Sequence, residues 1–454
     1  MNELYSIDSG ERSLMYAKST HFNLHYNTTK KYLSVYDALS VLCKKQSTKE
    51  VWCLVTNIAR AIKQNATYLQ IPKQFSVYTK NKQEISRTKL FSLFDELVLR
   101  DYLVFYKGGF INVKKDEYVT SLYEITDKMK LLWVGIDIDE ELVYDGDLIE
   151  IKDRESKQHI NSKIRGTAEM RNTVNKYNHA LSVIDLQFDG APLPVQQYKR
   201  VFSGSLNLGG RFYNVNGGVQ TMKQEDRKKL MINGEKVVEL DFKALHPSIL
   251  YEKKWQENPK LVEYWIENSW DGAYNPYITK GYEAALYVNN DEVADQINRF
   301  GLVKYNPVRN LFKFAVMACL NAKRGEKRPI TPAAKALTTE WYDDLKKKDQ
   351  DRKYRGLHVI DGKFPSHAIC ELVQAANLPI GDSFFSDVGV ELQRIDSDII
   401  EQVISNLVEM GEVLYPEHDS VIVRESLEHV VTRLMREAYF NVIGSDQFCF
   451  IEKK

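Results

Sequence analysis

Lys236-Val-Val-Glu-Leu-Asp241-Phe-Lys-Ala-Leu-His246-Pro-Ser-Ile-Leu-Tyr251 is a hydrophobic run that changes character at an aspartate. Val237 to Phe242 alternates too little for a strand with one wet face, so it reads as a buried strand ending in a charged side chain. Leu245-His246-Pro247-Ser248 then opens a helix, with Pro247 suited to the first turn, where its missing N–H has no partner to lose. Asp241 therefore stands where a strand stops and a carboxylate can face a cleft. A second run of the same kind follows about 180 residues on: Glu412-Val-Leu-Tyr-Pro-Glu-His418-Asp419-Ser420-Val-Ile-Val423. It reads as a hairpin with Asp419 near its turn.

Between the two runs lies Asn306-Pro307-Val-Arg309-Asn-Leu-Phe-Lys313-Phe-Ala-Val-Met317-Ala-Cys-Leu-Asn321. Asn306 is a good helix cap and Pro307 a good first residue. Arg309 and Lys313 are four apart and share a face, while Leu311, Phe314, Ala315 and Ala318 share another that can pack. Two aspartates side by side repel unless cations lie between them, which is the electrostatic logic of a divalent-metal site. A cationic helix face suits the grip on a triphosphate. Each aspartate alone is an ordinary strand-end or turn residue. Together, and in this order, they have what nucleotidyl transfer requires.

Outward from this centre, residues 30–62 and 84–100 read as helices, the second capped by Ser86 with an apolar stripe of Leu90, Leu93, Phe94 and Leu97. Strands follow at residues 101–106 and 110–113 around a Gly108-Gly109 turn. Helix then hairpin is a winged-helix pattern, a unit that serves either duplex DNA or a protein partner. Residues 131–150 read as strand-rich and acidic. The acids of Asp137-Ile-Asp139-Glu140 are assigned to a turn or strand end and not to a proofreading exonuclease, since no further acidic motifs follow. Residues 155–186 read as one long polar helix. In Phe202-Ser-Gly-Ser-Leu-Asn-Leu-Gly-Gly-Arg211-Phe-Tyr, the glycine pair permits close approach of backbone to another chain or a ligand.

The bulk properties exclude several classes. Lys and Arg number 62, as do Asp and Glu, so any nucleic-acid surface must come from local clusters. Such clusters are Lys163/Arg165/Arg171/Lys176, Arg227/Lys228/Lys229, Lys323/Arg324/Lys327/Arg328 and residues 346–355, each also readable as a solvated face. The five cysteines (Cys43, Cys53, Cys319, Cys370, Cys449) form no Cys-x-x-Cys pair, which argues against a zinc ribbon or a disulfide framework. No run of about 18 apolar residues and no basic–apolar leader is present, so a soluble, intracellular protein without a membrane partner is expected.

From about Gly204 onward the chain resembles the polymerase module of family A DNA polymerases. Asp241-Phe-x-x-Leu-His-Pro-Ser-Ile looks like the first catalytic motif, with a likeness also to family B. Arg309-x-x-x-Lys313 looks like the nucleotide-binding fingers helix and His418-Asp419 like the last catalytic motif. Gly209-Gly-Arg211 falls where a Gly-Arg segment touches the primer–template minor groove, and Gln393-x-x-x-Ser397-Asp398 resembles the Gln-led helix before the last motif.

The resemblance implies an α+β right-hand polymerase with an antiparallel palm sheet, helical fingers and a thumb, plus the winged-helix-like unit. Its parts would be residues 1–130 accessory, 131–215 a thumb-like helical and connecting region, 216–295 first palm part, 296–364 fingers, and 365–454 second palm part. Asp241 and Asp419, with the Phe242 carbonyl as an extra ligand, would bind two Mg²⁺ ions, Mn²⁺ being a substitute. Arg309 and Lys313 would hold the triphosphate, and Lys313 would also protonate the leaving group. His246 and Met317 would line the nucleotide, and Arg211, Arg227, Gln393 and His418 would meet nucleic acid. The implied partners are primer–template DNA, deoxynucleoside triphosphates and a replication or recruitment protein.

Departures from the family bear on the product. Met317 and Asn321 stand where family A enzymes usually carry Phe and Tyr, and Ser420 where they carry Glu. Met317 and His-Asp-Ser look instead like single-subunit phage-type RNA polymerases. His246, five residues after Asp241, is bulky, as in enzymes that crowd out a ribose 2′-hydroxyl. The expectation is therefore DNA synthesis without intrinsic proofreading, in a phage or other mobile element. The alternatives are an RNA polymerase or primase-like enzyme, or a catalytically silent replication initiator that binds DNA.

Overall fold

The computed structural model describes residues 2–3, 7, 9–22, 28, 30–42, 48–71, 84–112, 117–138, 147–156, 159–160, 166–215, 218–269, 276–277, 307–323, 328–342 and 366–454. Asn306, Lys163, Arg165, Arg324, Lys327, Asp139, Glu140 and residues 346–355 lie outside these. Two hydrophobic cores organise the α+β chain. One gathers apolar side chains from Phe22 to Trp133, and the other gathers Ala17 with residues from Leu148 to Cys449.

The chain around the first core runs β1 (Asn2–Glu3), α1 (Ser9–Ala17), β2 (Ser19–His21), α2 (Leu33–Leu42), α3 (Thr48–Lys63), β3 (Tyr68–Gln70), α4 (Arg87–Leu99), β4 (Leu103–Lys107), β5 (Gly109–Asn112), β6 (Glu117–Val119), β7 (Leu122–Ile125) and α5 (Asp127–Leu131). Its main sheet runs β1-β4-β7-β3-β2. Ser86 caps α4 as expected, its Oγ accepting from Lys89 N. Its own N–H donates to Glu50 Oε1 at 2.7 Å, which ties the start of α4 to α3. Leu90, Leu93, Phe94 and Leu97 are fully buried, so the helical stripe is the face that meets the sheet.

Three expectations for this half are corrected. Residues 30–62 are two helices, α2 and α3, not one. Gly108-Gly109 is not the turn, because the chain runs on through β5 and returns through β6 and β7 as one longer hairpin. Ser121 Oγ accepts from Gly108 N at 2.9 Å across it. Residues 132–135 form a turn and not a strand, and Asp137 is an exposed acid beside Lys31, 3.7 Å away.

The second core begins with β8 (Ile149–Lys152), α6 (Ala168–Leu181), β9 (Leu186–Phe188), β10 (Ala191–Pro192), β11 (Tyr198–Ser203) and β12 (Ser205–Asn214). Residues 131–215 thus hold both strands, β8 to β12, and the helix α6. Within 155–186 the described helix is α6 alone, preceded by Gly166 at φ +77°, a left-handed backbone that does not extend a helix. β13 (Leu230–Ile232), β14 (Glu235–Phe242), α7 (Leu245–Glu257) and α8 (Pro259–Ser269) follow, then α9 (Pro307–Asn321), α10 (Thr331–Ala336) and α11 (Ser366–Ala376). The chain closes with α12 (Gly389–Glu409), β15 (Tyr415–Glu417), β16 (Ser420–Arg424), α13 (Glu428–Ile443) and β17 (Ile451–Lys453).

The central sheet runs β10-β9-β13-β14-β16-β15, with β17 also on β14, and every pairing is antiparallel. Val238, Leu240 and Phe242 of β14 are buried in the core, Phe242 against Tyr439 of α13 at 6.1 Å between rings. The period of two sends Glu239 and Asp241 to the opposite face. α9 packs with Phe312, Ala315, Val316, Cys319 and Leu320 buried, while Phe314 and Ala318 are only half-buried. The packed stripe is therefore rotated from the one expected. Asn321 abuts Gly389 at the start of α12, where a Cβ would sit 1.7 Å from Asn321 Oδ1. That close approach locks α9 to α12.

The Gly209-Gly210 pair serves packing inside the chain. Both residues have positive φ in β12, beside a bulge against β11. A Cβ on Gly210 would lie 2.6 Å from Phe202 Cε1. Gly210→Ala is expected to destabilise the protein by about 1–3 kcal/mol through overpacking and backbone strain. Equilibrium denaturation checks this, and a variant as stable as the parent would contradict it.

Candidate active site

The sheet register decides which acids meet. β14 and β16 pair Val237 with Arg424 through Asp241 with Ser420, so the His418-Asp419 turn lies at the end of β14 that carries Asp241. Phe242 N donates to Asp419 O at 3.3 Å, a backbone bridge between the two motifs. The turn joins Glu417 to Ser420 by two residues, with His418 at φ +60°. A positive φ at the first central residue alone matches a type II′ hairpin turn, a place that favours glycine. A histidine held there is strained backbone, and strain of this kind concentrates at functional sites.

Burial and the nearby Asp419 charge push the Asp241 carboxyl up to about 6, against the attraction of Lys454 and Lys313. Lys313, exposed on α9, is one of the charges that act on Asp241. Glu417 is pushed up to about 7, first by burial and then by Glu239 and Asp419. His418 is held below its ordinary value by burial and by the Arg211 charge.

The donor set suits hard divalent ions. Asp241 Oδ1 is shielded from solvent, with Lys454 Nζ 3.0 Å away as an ion pair. Glu417 Oε2 is likewise buried without a hydrogen-bond partner. The Phe242 side chain turns into the core, leaving its backbone carbonyl as the group available to an ion. Among the described residues no three His, Cys, Asp or Glu side chains form a ready metal cage. Mg²⁺ in phosphoryl-transfer sites is commonly held by one or two carboxylates completed by substrate phosphates, so the pair Asp241 and Asp419 fits that use.

Around this pair lie charges that the sequence did not flag. Asp396 of α12 is fully buried and takes Arg211 in a two-point contact, Nε to Oδ2 at 3.0 Å with Nη2 on the same oxygen. His246 Nε2 shares Asp396 Oδ2 at 2.8 Å and lies 3.3 Å from Arg211 Nη2. Arg211 is therefore held by a buried acid and does not stand free for a duplex, while Gln393 on the same helix is half-buried. Asp396 had one legible signal, a lone acid on the stripe of Leu392, Ile399, Ile400 and Val403.

Arg227, expected to meet nucleic acid, is instead buried and forked onto Glu239, Nε to Oε2 at 3.0 Å and Nη2 to Oε1 at 2.9 Å. A guanidinium committed in this way is a structural anchor, because leaving either charge unpaired inside would be costly. Ser420 Oγ donates to Glu239 Oε1 at 3.1 Å. Met317 is half-buried on α9, and of Arg309 only its place on that helix is described. Nothing in the local sequence marks Lys454, which pairing of β17 with β14 brings to Asp241.

No family model matches the chain, and no curated protein matches it. Among solved structures it is similar to the POL domain of Pol1 from M. smegmatis in complex with DNA primer-template and dNTP, at 15% identity and a TM-score of 0.30. The match covers 93% of this chain and 65% of that one, so the chain spans about two thirds of its neighbour's length. Among the described residues no helix is long and apolar enough to cross a membrane.

The raised Asp241 and Glu417 values have a consequence for stability. From ordinary values of 3.8 and 4.5, the unfolded chain ionises these acids before the folded one does. Stability from this pair is therefore full below about pH 4 and is lost as pH rises through about 6 and 7. In EDTA, Asp241→Asn and Glu417→Gln are expected to raise the melting temperature at pH 8 and to leave it near the parent's at pH 4. Equal melting temperatures at pH 8 would contradict the assignment.

Proposed function

We propose that this chain is a template-dependent DNA polymerase that adds deoxynucleotides to a primer 3′-hydroxyl, with no proofreading exonuclease of its own. The observation that carries this reading is the convergence of three distant segments. Asp241 and Asp419 lie at the ends of neighbouring antiparallel strands with a backbone bridge between them, and the Lys313 charge on α9 acts on Asp241. In this reading the central sheet is the palm, α9 belongs to the fingers, and the β3, β4, β7 and α4 unit is a winged-helix-like accessory module for duplex DNA or a recruiting protein.

Asp241 and Asp419, with the Phe242 carbonyl, would hold two Mg²⁺ ions, or Mn²⁺ in their place. When bound, the ions supply activation of the primer 3′-hydroxyl and neutralise charge on the transferring phosphoryl group and pyrophosphate. Lys313 and Arg309 bind the triphosphate, and Lys313 gives a proton to the pyrophosphate oxygen as the P–O bond breaks. Asp396 and Arg211 fix the His246 imidazole, so that it cannot yield to a 2′-hydroxyl. His418 and Gln393 are assigned to the primer end and the duplex. The rigid mounting of His246 favours deoxynucleotides over the ribonucleotide alternative.

Primer extension with Mg²⁺ tests the reading. Asp241→Asn and Asp419→Asn, each folded, are expected to lose on the order of 10³-fold or more in incorporation rate. Near-normal extension by either variant would overturn it. Lys313→Ala is expected to weaken use of the incoming nucleotide much more than affinity for primer–template. His246→Ala is expected to raise ribonucleotide incorporation selectively, and an equal effect on both sugars would make His246 structural.

A further inference from the structure

Lys454 enters the acidic site by strand pairing. β17 pairs with β14 as Phe242 with Ile451, Asp241 with Glu452 and Leu240 with Lys453, and Lys454 N donates to Glu239 O at 3.0 Å. That register puts Lys454 on the sheet face that carries Glu239 and Asp241. Its Nζ lies 3.0 Å from Asp241 Oδ1 and 3.5 Å from Glu239 Oε1, with the side chain 30% exposed. Glu239 is already neutralised by the Arg227 fork and also accepts from Ser420, so the charge left for Lys454 to answer is that of Asp241. Asp419 adds to the attraction.

We propose that Lys454 is a tethered counter-ion of the Asp241–Asp419 pair, which holds Asp241 in the metal-free protein and must release it to a divalent cation. The inference rests on the metal site of the proposed function. An ammonium on a four-carbon stem is suited to exchange, since it is a point charge with rotatable donors and no fork geometry to break. A single ammonium contact at 3.0 Å is easier for Asp241 Oδ1 to surrender than a two-point bond from a guanidinium fork. Two cations that compete for one carboxylate each lower the other's affinity by the same factor. Lys454 therefore sets how much divalent ion the empty site demands. It also offsets the repulsion between Asp241 and Asp419 until that ion arrives.

The test is binding of Mn²⁺ alone to the full chain, without DNA or nucleotide, at pH 8. Free Mn²⁺ is read by electron paramagnetic resonance, for the parent, Lys454→Met, Lys454→Arg and Asp241→Asn. Lys454→Met is expected to tighten Mn²⁺ binding at least roughly fivefold, while Lys454→Arg, which keeps the charge, stays near the parent. Affinity in Lys454→Met equal to or weaker than the parent's would overturn the counter-ion role and leave the metal site standing. Parent and Lys454→Met binding that Asp241→Asn does not diminish would overturn the metal site itself, and the proposal with it.

Discussion

Two aspartates held close in a partly dry cleft repel each other, and much of the surrounding structure answers that repulsion. Asp241 and Asp419 meet because β14 and β16 pair in one register and because a two-residue turn ends at Asp419. Slippage by one residue would send Asp241 into the core and turn Leu240 and Phe242 out of it. The apolar alternation of β14 is thus also what holds the charge in the cleft. Lys454 and Lys313 lower the electrostatic strain from two sides, one from the sheet and one from α9.

A second layer of paired charges keeps the frame rigid behind the pair. Arg200 is fully buried, with Nε on Gly210 O at 2.7 Å and Nη2 on Ser397 Oγ at 2.9 Å, and it ion-pairs with Glu401 at 2.6 Å. It joins β11, β12 and α12 in one contact set. The Arg211–Asp396–His246 cluster extends that set to α7, and Arg227 with Glu239 fastens the segment before β13 to β14. Buried charges of this kind add little net stability, but removing one member strands its partner in a low-dielectric interior. The geometry of the site depends on several such pairs at once. A loose supporting shell would let catalytic groups drift from register.

Much of the fold's skeleton near the site was legible. The strand ending at Asp241, the helix opening at Leu245, the hairpin around Asp419 and the helix from Pro307 all form where local pattern put them. Each of these carries strong local signals: a dense apolar run, Pro in a first turn, or a short gap between two strands. The errors fall where local pattern is weak or is overruled by pairing. Residues 155–186 look helical by polarity, yet Gly166 and strand β9 bound the helix. Gly108-Gly109 looks like a turn, but pairing on both sides of it extends the hairpin.

The site residues divide along the same line. Local sequence was enough to single out Asp241, Asp419 and Lys313, since strand-end acids and a cation on one helix face are short-range features. It could not reveal the partners of Arg211, Arg227 and His246, which lie 185, 12 and 150 residues away at Asp396, Glu239 and Asp396. Nor could it show that Lys454 stands at Asp241. Side-chain type and spacing determine what an element is and which face it offers. The pairing of charges across elements is decided only when distant strands and helices pack, because burial makes each ionised group require the partner that packing delivers.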